Sequence, residues 1–414
     1  MNISTSLDNT CIYCSSSGPF SAEHVIPAGM GGDYKRFMLQ DIVCTNCNTS
    51  IFSPLEAAFL RSSPVAIGRL FMQGQGRNRG KKTTPPTLDA KTKVLVSEDG
   101  FPYEIELGQN GKPSVLPQLI IVGESAVKST ATTRVELLEF IEVSRTQLND
   151  SVTCIRKIHD EVPPIFELTH FIWREGAYVR SQEVEHLAKA PSGGIWHEQM
   201  ENYKSEQRLS RSRLFRSVRN KIVLRVTDDL ALEKALTLYR KCLEQTDFSS
   251  MEAEAQTVEN PLVSVGMSVR TDVTDRVLAK IGINILAHVA GAAYVRQSGF
   301  NETKKSILSG EPDLHSVGME EHDEMRKILS RLPSGHHLFM IFGVPHPTEG
   351  NILALMVRLY DSQITTIKLG VNLVEAPVLL PIVFIVNYTT HSITHLGLIE
   401  FAKLLGPFGN SKAR

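Results

Sequence analysis

The sequence predicts an α+β protein: a small, cysteine-stapled N-terminal unit followed by a larger mixed α/β body with a C-terminal sheet. Three observations carry this. Two CxxC steps, Cys11/Cys14 and Cys44/Cys47, lie close together near the N-terminus. Short strand-like runs and one helical repeat of apolar residues alternate through 88–200. In the last third, a long apolar helix pattern is followed by HLFMIFGV, ILALMVRLY, QITTIKLG and VLLPIVFIVNY, four runs that suit a sheet packed on that helix.

The bulk properties set outer limits. A chain of 414 residues, 42% hydrophobic and 21% charged, is long enough for two or three domains and is not of disordered or fibrous composition. Lys+Arg 44 against Asp+Glu 45 leaves a formal net charge of -1, so affinity for nucleic acid has to come from local basic patches. The opening MNISTSLDNT lacks a basic-then-apolar signal pattern. The apolar run from Ile281 to Tyr294 is short for a membrane span and is interrupted by Asn284 and His288, so a cytoplasmic protein with no membrane partner is expected. Four of six cysteines fall in the CxxC steps, which fits thiolate metal ligation in a reducing compartment better than a disulfide framework. Cys154 and Cys242 are isolated and read as buried small side chains.

Four thiolates from Cys11, Cys14, Cys44 and Cys47 can close a tetrahedral shell on one zinc ion, which then holds the fold and has no position left for water. Inside this loop lies SAEHVIPAGMGG. Glu23 and His24 precede two β-branched residues and Pro27, the pattern of a short strand leaving a turn. Neighbours on a strand point to opposite faces, so a site using both side chains needs a twist or bulge. A carboxylate suits a hard cation such as Mg²⁺, and a neutral imidazole suits proton abstraction from water near pH 7. Gly31 and Gly32 allow a tight or left-handed turn. Asn48 directly follows Cys47, and NTSIFSPLEAAFLR is expected as a capped turn leading into a helix with Pro54 near its start. Glu56 on that helix is expected to face solvent.

The order CxxC, EHVIP, GG, CxxCN over residues 8–62 resembles the HNH endonucleases of the ββα-metal fold, in the zinc-stapled variant ending in asparagine. The resemblance implies an N-terminal HNH domain that hydrolyses DNA phosphodiester bonds, as in restriction or phage-defence enzymes. It implies His24 as general base, Glu23 and Asn48 as ligands of a catalytic Mg²⁺ or Mn²⁺, and Cys11, Cys14, Cys44 and Cys47 as ligands of a structural Zn²⁺. One departure matters. Many members carry an asparagine nine residues before the final one, where it orients the base, and here that position is Leu39; Gln40, Asp41 or a backbone carbonyl are the alternatives. The chemistry suits the residues, since one divalent cation and one histidine provide a nucleophile, charge neutralisation and help for the leaving oxygen. The alternative is a non-catalytic zinc-ribbon regulator that binds nucleic acid without cutting it.

Four segments are expected along the chain: an HNH domain at 1–72, a linker at 73–87, a mixed α/β region at 88–200 and a C-terminal α/β body at 201–414 with a target- or signal-sensing role. The linker QGQGRNRGKKTTPPT misses the spacing of a phosphate-binding loop, and its Arg77, Arg79, Lys81 and Lys82 suit either DNA backbone or solvent. KSEQRLSRSRLFRSVRNKIVLR, residues 204–225, is the most basic stretch. Read as a helix, it puts Arg208, Arg211 and Arg219 on one face beside Phe215; with Arg213 and Arg216 these are the candidate nucleic-acid contacts. DDLALEKALTLYRKCLEQ and VTDRVLAKIGINILAHVAGAAYVR read as helices, the second long and largely buried. On it Asn284 and His288 lie four apart, with His288 expected as a buried, hydrogen-bonded histidine and not a ligand. DNA is the expected partner, and a homo-oligomer and a small-molecule or protein activator are compatible with the sequence.

Overall fold

A computed structural model describes residues 9–406 apart from 33–34, 77, 80–81, 84, 91, 98–99, 124–125, 159–164, 201–210, 227–228, 253–260, 268 and 320–323. The chain divides into two compact units, both discontinuous in sequence. One comprises Met1–Ala90, Gly108–Gly111 and Met267–Arg414, the other Lys91–Leu107 and Lys112–Gly266. The expected segmentation is therefore corrected. The N-terminal segment does not stand alone at 1–72, because the long helix Thr271–Ala290 shares a core with it, and the body does not break at 200, because Ile195–Gln199 pairs with Ile222–Val226 in one sheet.

In the first unit, strands Glu23–His24 and Met38–Leu39 pair antiparallel, Glu23 opposite Leu39 and His24 opposite Met38. The return between them needs its glycines. Gly31 has φ +86°, and a Cβ there would lie 2.7 Å from the Tyr388 Cα. Beyond Cys44 the chain winds wide π-type turns over Asn46–Phe52 and runs straight into the α-helix Ser53–Ser62. Asn48 thus sits inside the helical run and not in a turn before it. Ser63 then caps a second helix, Pro64–Met72, accepting the Val65 N–H at 3.2 Å with proline in the first turn.

The long helix is buried almost all round, with every residue from Val277 to Ala287 inaccessible. In the same unit lies a six-stranded antiparallel sheet, in the order Ser316–Gly318, Thr365–Gly370, Gly350–Arg358, His336–His346, Ile382–Asn387, Ser392–Leu396. The four apolar runs read from the sequence are its four inner strands. A single core joins Val25, Ile26, Phe52 and Phe59 to Ile281 and Ile285 of the helix and to Phe339 and Phe384 of the sheet.

His337, on an inner strand, is wholly buried, its ring centroid 4.3 Å from that of Tyr360 and 4.6 Å from that of Tyr388. Its Nδ1 accepts the Tyr360 N–H at 3.3 Å, which a protonated ring could not do. Burial accordingly pulls its pKa down from 6.5 to about 3. A base with a lowered folded pKa contributes stability that is complete above pH 6.5 and is lost as pH falls toward 3, at up to roughly 1.4 kcal/mol per pH unit. Urea titrations at pH 7 and pH 4.5 are expected to show the parent losing more stability on acidification than His337→Gln; equal losses would exclude this proton uptake.

The second unit holds an eight-stranded mixed sheet, in the order Ala177–Leu187, Ile165–Arg174, Ser151–Ile158, Ile195–Gln199, Ile222–Val226, Arg213–Arg216, Gln118–Ile121, Val127–Thr130. Ile195–Gln199 runs parallel to both its neighbours, and the other pairings are antiparallel. Helices Arg134–Gln147 and Asp229–Gln245 belong to this unit, as does a smaller sheet that pairs Leu262–Gly266, Thr92–Val96, Pro102–Leu107 and Pro113–Val115 in that order. The helix expected over the basic stretch is not formed in its described residues, 211–225. Its described part is a hairpin, Arg213–Arg216 against Ile222–Val226, turning at Asn220 with φ +56°. The physical reason lies in IVLRV, a β-branched run that pairs as a strand, and in an asparagine that tolerates the left-handed turn. Among the described residues no helix is long and apolar enough to cross a membrane.

Candidate functional site

The four cysteine sulfurs come together as the spacing predicts, all within 4.8 Å of one another. Cys14 and Cys44 are 3.5 Å apart and Cys11 and Cys47 3.9 Å, close to the roughly 3.8 Å separation of tetrahedral ligands each about 2.3 Å from zinc. Backbone N–H groups of Cys44 and Cys47 donate to the Cys11 and Cys44 sulfurs, both at 3.4 Å. Sharing a proton with Cys47 lowers the Cys11 thiol to about 4, while the Cys47 thiol, holding that proton, is pushed up. Among the described residues this is the one group of three or more His, Cys, Asp or Glu side chains placed to hold a metal ion, and it could bind one such as zinc.

This cluster fixes the strand that carries Glu23 and His24. The Ser21 N–H reaches the Val43 carbonyl at 3.1 Å, the Thr45 N–H reaches that of Pro19 at 2.8 Å, and Phe20 bridges Cys44. From the helical run, Asn48 Nδ2 donates to Ser21 Oγ and to the Ala22 carbonyl, both at 3.0 Å. The three residues singled out from the sequence therefore stand on one strand and on a helical turn bonded to the two residues before it.

Glu23 is only 5% exposed, and its Oε1 accepts from the Lys280 ammonium and, at 3.4 Å, from Asn284 Nδ2. Burial pushes its carboxyl pKa up, against the pull of Lys280. Lys280 also binds Glu56 Oε1 at 2.5 Å; although burial opposes its charge, the two carboxylates hold its pKa above the usual lysine range. Asn284, one turn along the same helix, donates to the His24 carbonyl at 2.9 Å and accepts the Tyr13 hydroxyl at 2.6 Å. His24 itself is half-buried.

Two expectations are corrected here. Glu56 does not face solvent, because Lys280 draws it inward. Of the pair four apart on the long helix, Asn284 is the buried, bonded member, whereas His288 is exposed beside Phe37 at a centroid distance of 5.4 Å. Lys280 and Tyr13 escaped the sequence reading. The signal for Lys280 was a lone cation in the apolar run VLAKIGINIL, which must find a partner if that helix is buried.

The candidate nucleic-acid residues do not share a face. Arg208 lies outside the described residues. Arg211 Nη1 donates to the Val122 carbonyl at 3.0 Å, its guanidinium lying over the Phe101 ring. Arg213 is 2% exposed, with Nε 2.7 Å from Glu104 Oε1, an oxygen it shares with Arg225 at 2.5 Å. The expectation that Arg213 meets phosphate is corrected: it neutralises a buried carboxylate. Arg216 pairs with Glu139 at 3.4 Å, and Arg219 is exposed. In 73–87 the side chains of Arg77, Arg79, Lys81 and Lys82 lie outside the described residues, while Gln73 is buried and accepts the Tyr360 hydroxyl at 2.6 Å.

Comparison of the chain with family models, curated proteins and solved structures gives no match.

Proposed function

We propose that the chain is a metal-dependent endonuclease of the HNH type that hydrolyses DNA phosphodiester bonds, with zinc on its four cysteines. The observation that carries the reading is the hydrogen bonding of Asn48 to Ser21 and Ala22, directly before the strand of Glu23 and His24, with the cysteine cluster bracketing both. His24 is the base that takes a proton from water. For the catalytic cation the donors fit in kind. Mg²⁺ needs only one or two protein ligands beside waters, and the reading assigns it Glu23 Oε2 and Asn48 Oδ1, because Glu23 Oε1 and Asn48 Nδ2 are engaged. When bound, such an ion neutralises charge on the phosphate and on the leaving oxygen. A setting in restriction or phage defence is part of the same proposal.

The buried pairing of Glu23 with Lys280 favours a second reading, a zinc module that binds nucleic acid without cutting, in which this carboxylate is purely structural. One assay separates them. Supercoiled plasmid with Mg²⁺ is expected to be nicked by the parent, and His24→Ala, with unchanged metal content and DNA affinity, is expected to be about 10²- to 10⁴-fold slower. Equal inertness of parent and variant would leave the binding module.

A further inference from the structure

We infer that Asn284, on the long helix, is a positioning residue for His24 and takes over the orienting task for which Leu39 has no polar group. The inference rests on the nuclease reading of the EHVIP strand. Leu39 is 3% exposed and lies opposite Glu23 on the partner strand, where its side chain offers neither donor nor acceptor. The bond that fixes the His24 backbone comes instead from the Asn284 amide, 260 residues away in sequence, at 2.9 Å.

Three features make this amide a rigid support. Asn284 has no exposed surface, so its rotamer is set by packing. Its oxygen is held by the Tyr13 hydroxyl, which also donates to the Lys280 carbonyl of the same helix at 3.2 Å. That fixes which end of the amide faces His24, since the hydroxyl must meet the oxygen if the nitrogen is to donate to the His24 and Glu23 oxygens. Tyr13, finally, lies between Cys11 and Cys14, so the cysteine cluster and the long helix grip the EH strand through one continuous set of bonds. The bond fixes the backbone from which the His24 ring projects, and a displacement of about 1 Å at a catalytic group costs on the order of 10²-fold in rate.

The test is single-turnover cleavage of a labelled duplex by the full chain, with DNA and Mg²⁺ each varied. Asn284→Leu is expected to lower the maximal rate at saturating Mg²⁺ by about 10- to 100-fold, the range for removing a supporting group, while half-saturating DNA and the zinc content stay at parental values. Tyr13→Phe keeps the donor to His24 but frees the amide to rotate, so a smaller fall in the same parameter is expected; it also serves if Asn284→Leu fails to fold. A purely structural role would lower thermal stability in both variants and leave the maximal rate alone. Should the parent cleave and the folded variants match its maximal rate, the assignment of Asn284 falls and the nuclease reading stands. Should the parent and His24→Ala be equally inert, both fall.

Discussion

Cys44→Ser is expected to yield a protein without zinc whose N-terminal segment is unfolded or aggregated. Cys44 is buried, its sulfur is 3.5 Å from that of Cys14 and accepts the Cys47 N–H, and its backbone bridges Phe20, so one residue serves both the cluster and the strand beside it. Structural zinc binding contributes about 10–16 kcal/mol in small cysteine-ligated peptides, an amount that exceeds the total stability of many domains. Removing one thiolate therefore acts on folding before it acts on any chemistry. Metal analysis of the purified parent is expected to give about one zinc per chain, and hydrogen exchange of the variant to show lost protection over residues 9–62. A soluble Cys44→Ser protein with parental exchange and no zinc would sink the metal reading of the cluster.

Lys280→Met is expected to be the most destabilising single change among the buried charges of the first unit, by about 3–5 kcal/mol, since it strands Glu23 and Glu56 together without their cation. The effect should depend on pH in a definite direction. The folded Glu23 carboxyl already binds its proton more tightly than the unfolded chain does, and without the ammonium it binds it more tightly still. A carboxyl with a raised folded pKa contributes stability that is present below its unfolded pKa and is lost as pH rises through the folded one. The deficit of the variant against the parent should thus be largest near neutral pH and shrink toward pH 5. Urea midpoints of both proteins across that range decide the matter, and a deficit that does not vary with pH would mean that lost packing, not lost charge, causes it.

The two changes mark where sequence reading succeeds and where it stops. The cysteine cluster was legible because ligands three apart in each CxxC step announce themselves locally, and the inner strands of the C-terminal sheet because long β-branched and aromatic runs have few other uses. The left-handed Gly31 was legible for the same local reason. The partners of Glu23 were not, because Lys280 is 257 residues away and no periodicity encodes so remote a contact. The basic stretch misled through its charges. Arginines spaced three and four apart mimic a helix face, yet Arg213 and Arg225 stand directly opposite each other on two strands and share Glu104. The mixed α/β character could be read from pattern, whereas the electrostatic surroundings of Glu23 depended on which distant segments share a core.

The discontinuity of the first unit also sets a timetable for synthesis. Glu23 and His24 leave the ribosome early, but Lys280 and Asn284 follow more than 250 residues later, which at about 5–20 residues per second is on the order of 10–50 s. During that interval the nascent strand has its cysteines but no counter-charge for Glu23 and no amide for the His24 carbonyl. A ribosome that stalls within the second unit releases a chain whose EH strand lacks this support, so any cleavage that depends on it is withheld until about two thirds of the polypeptide has been made.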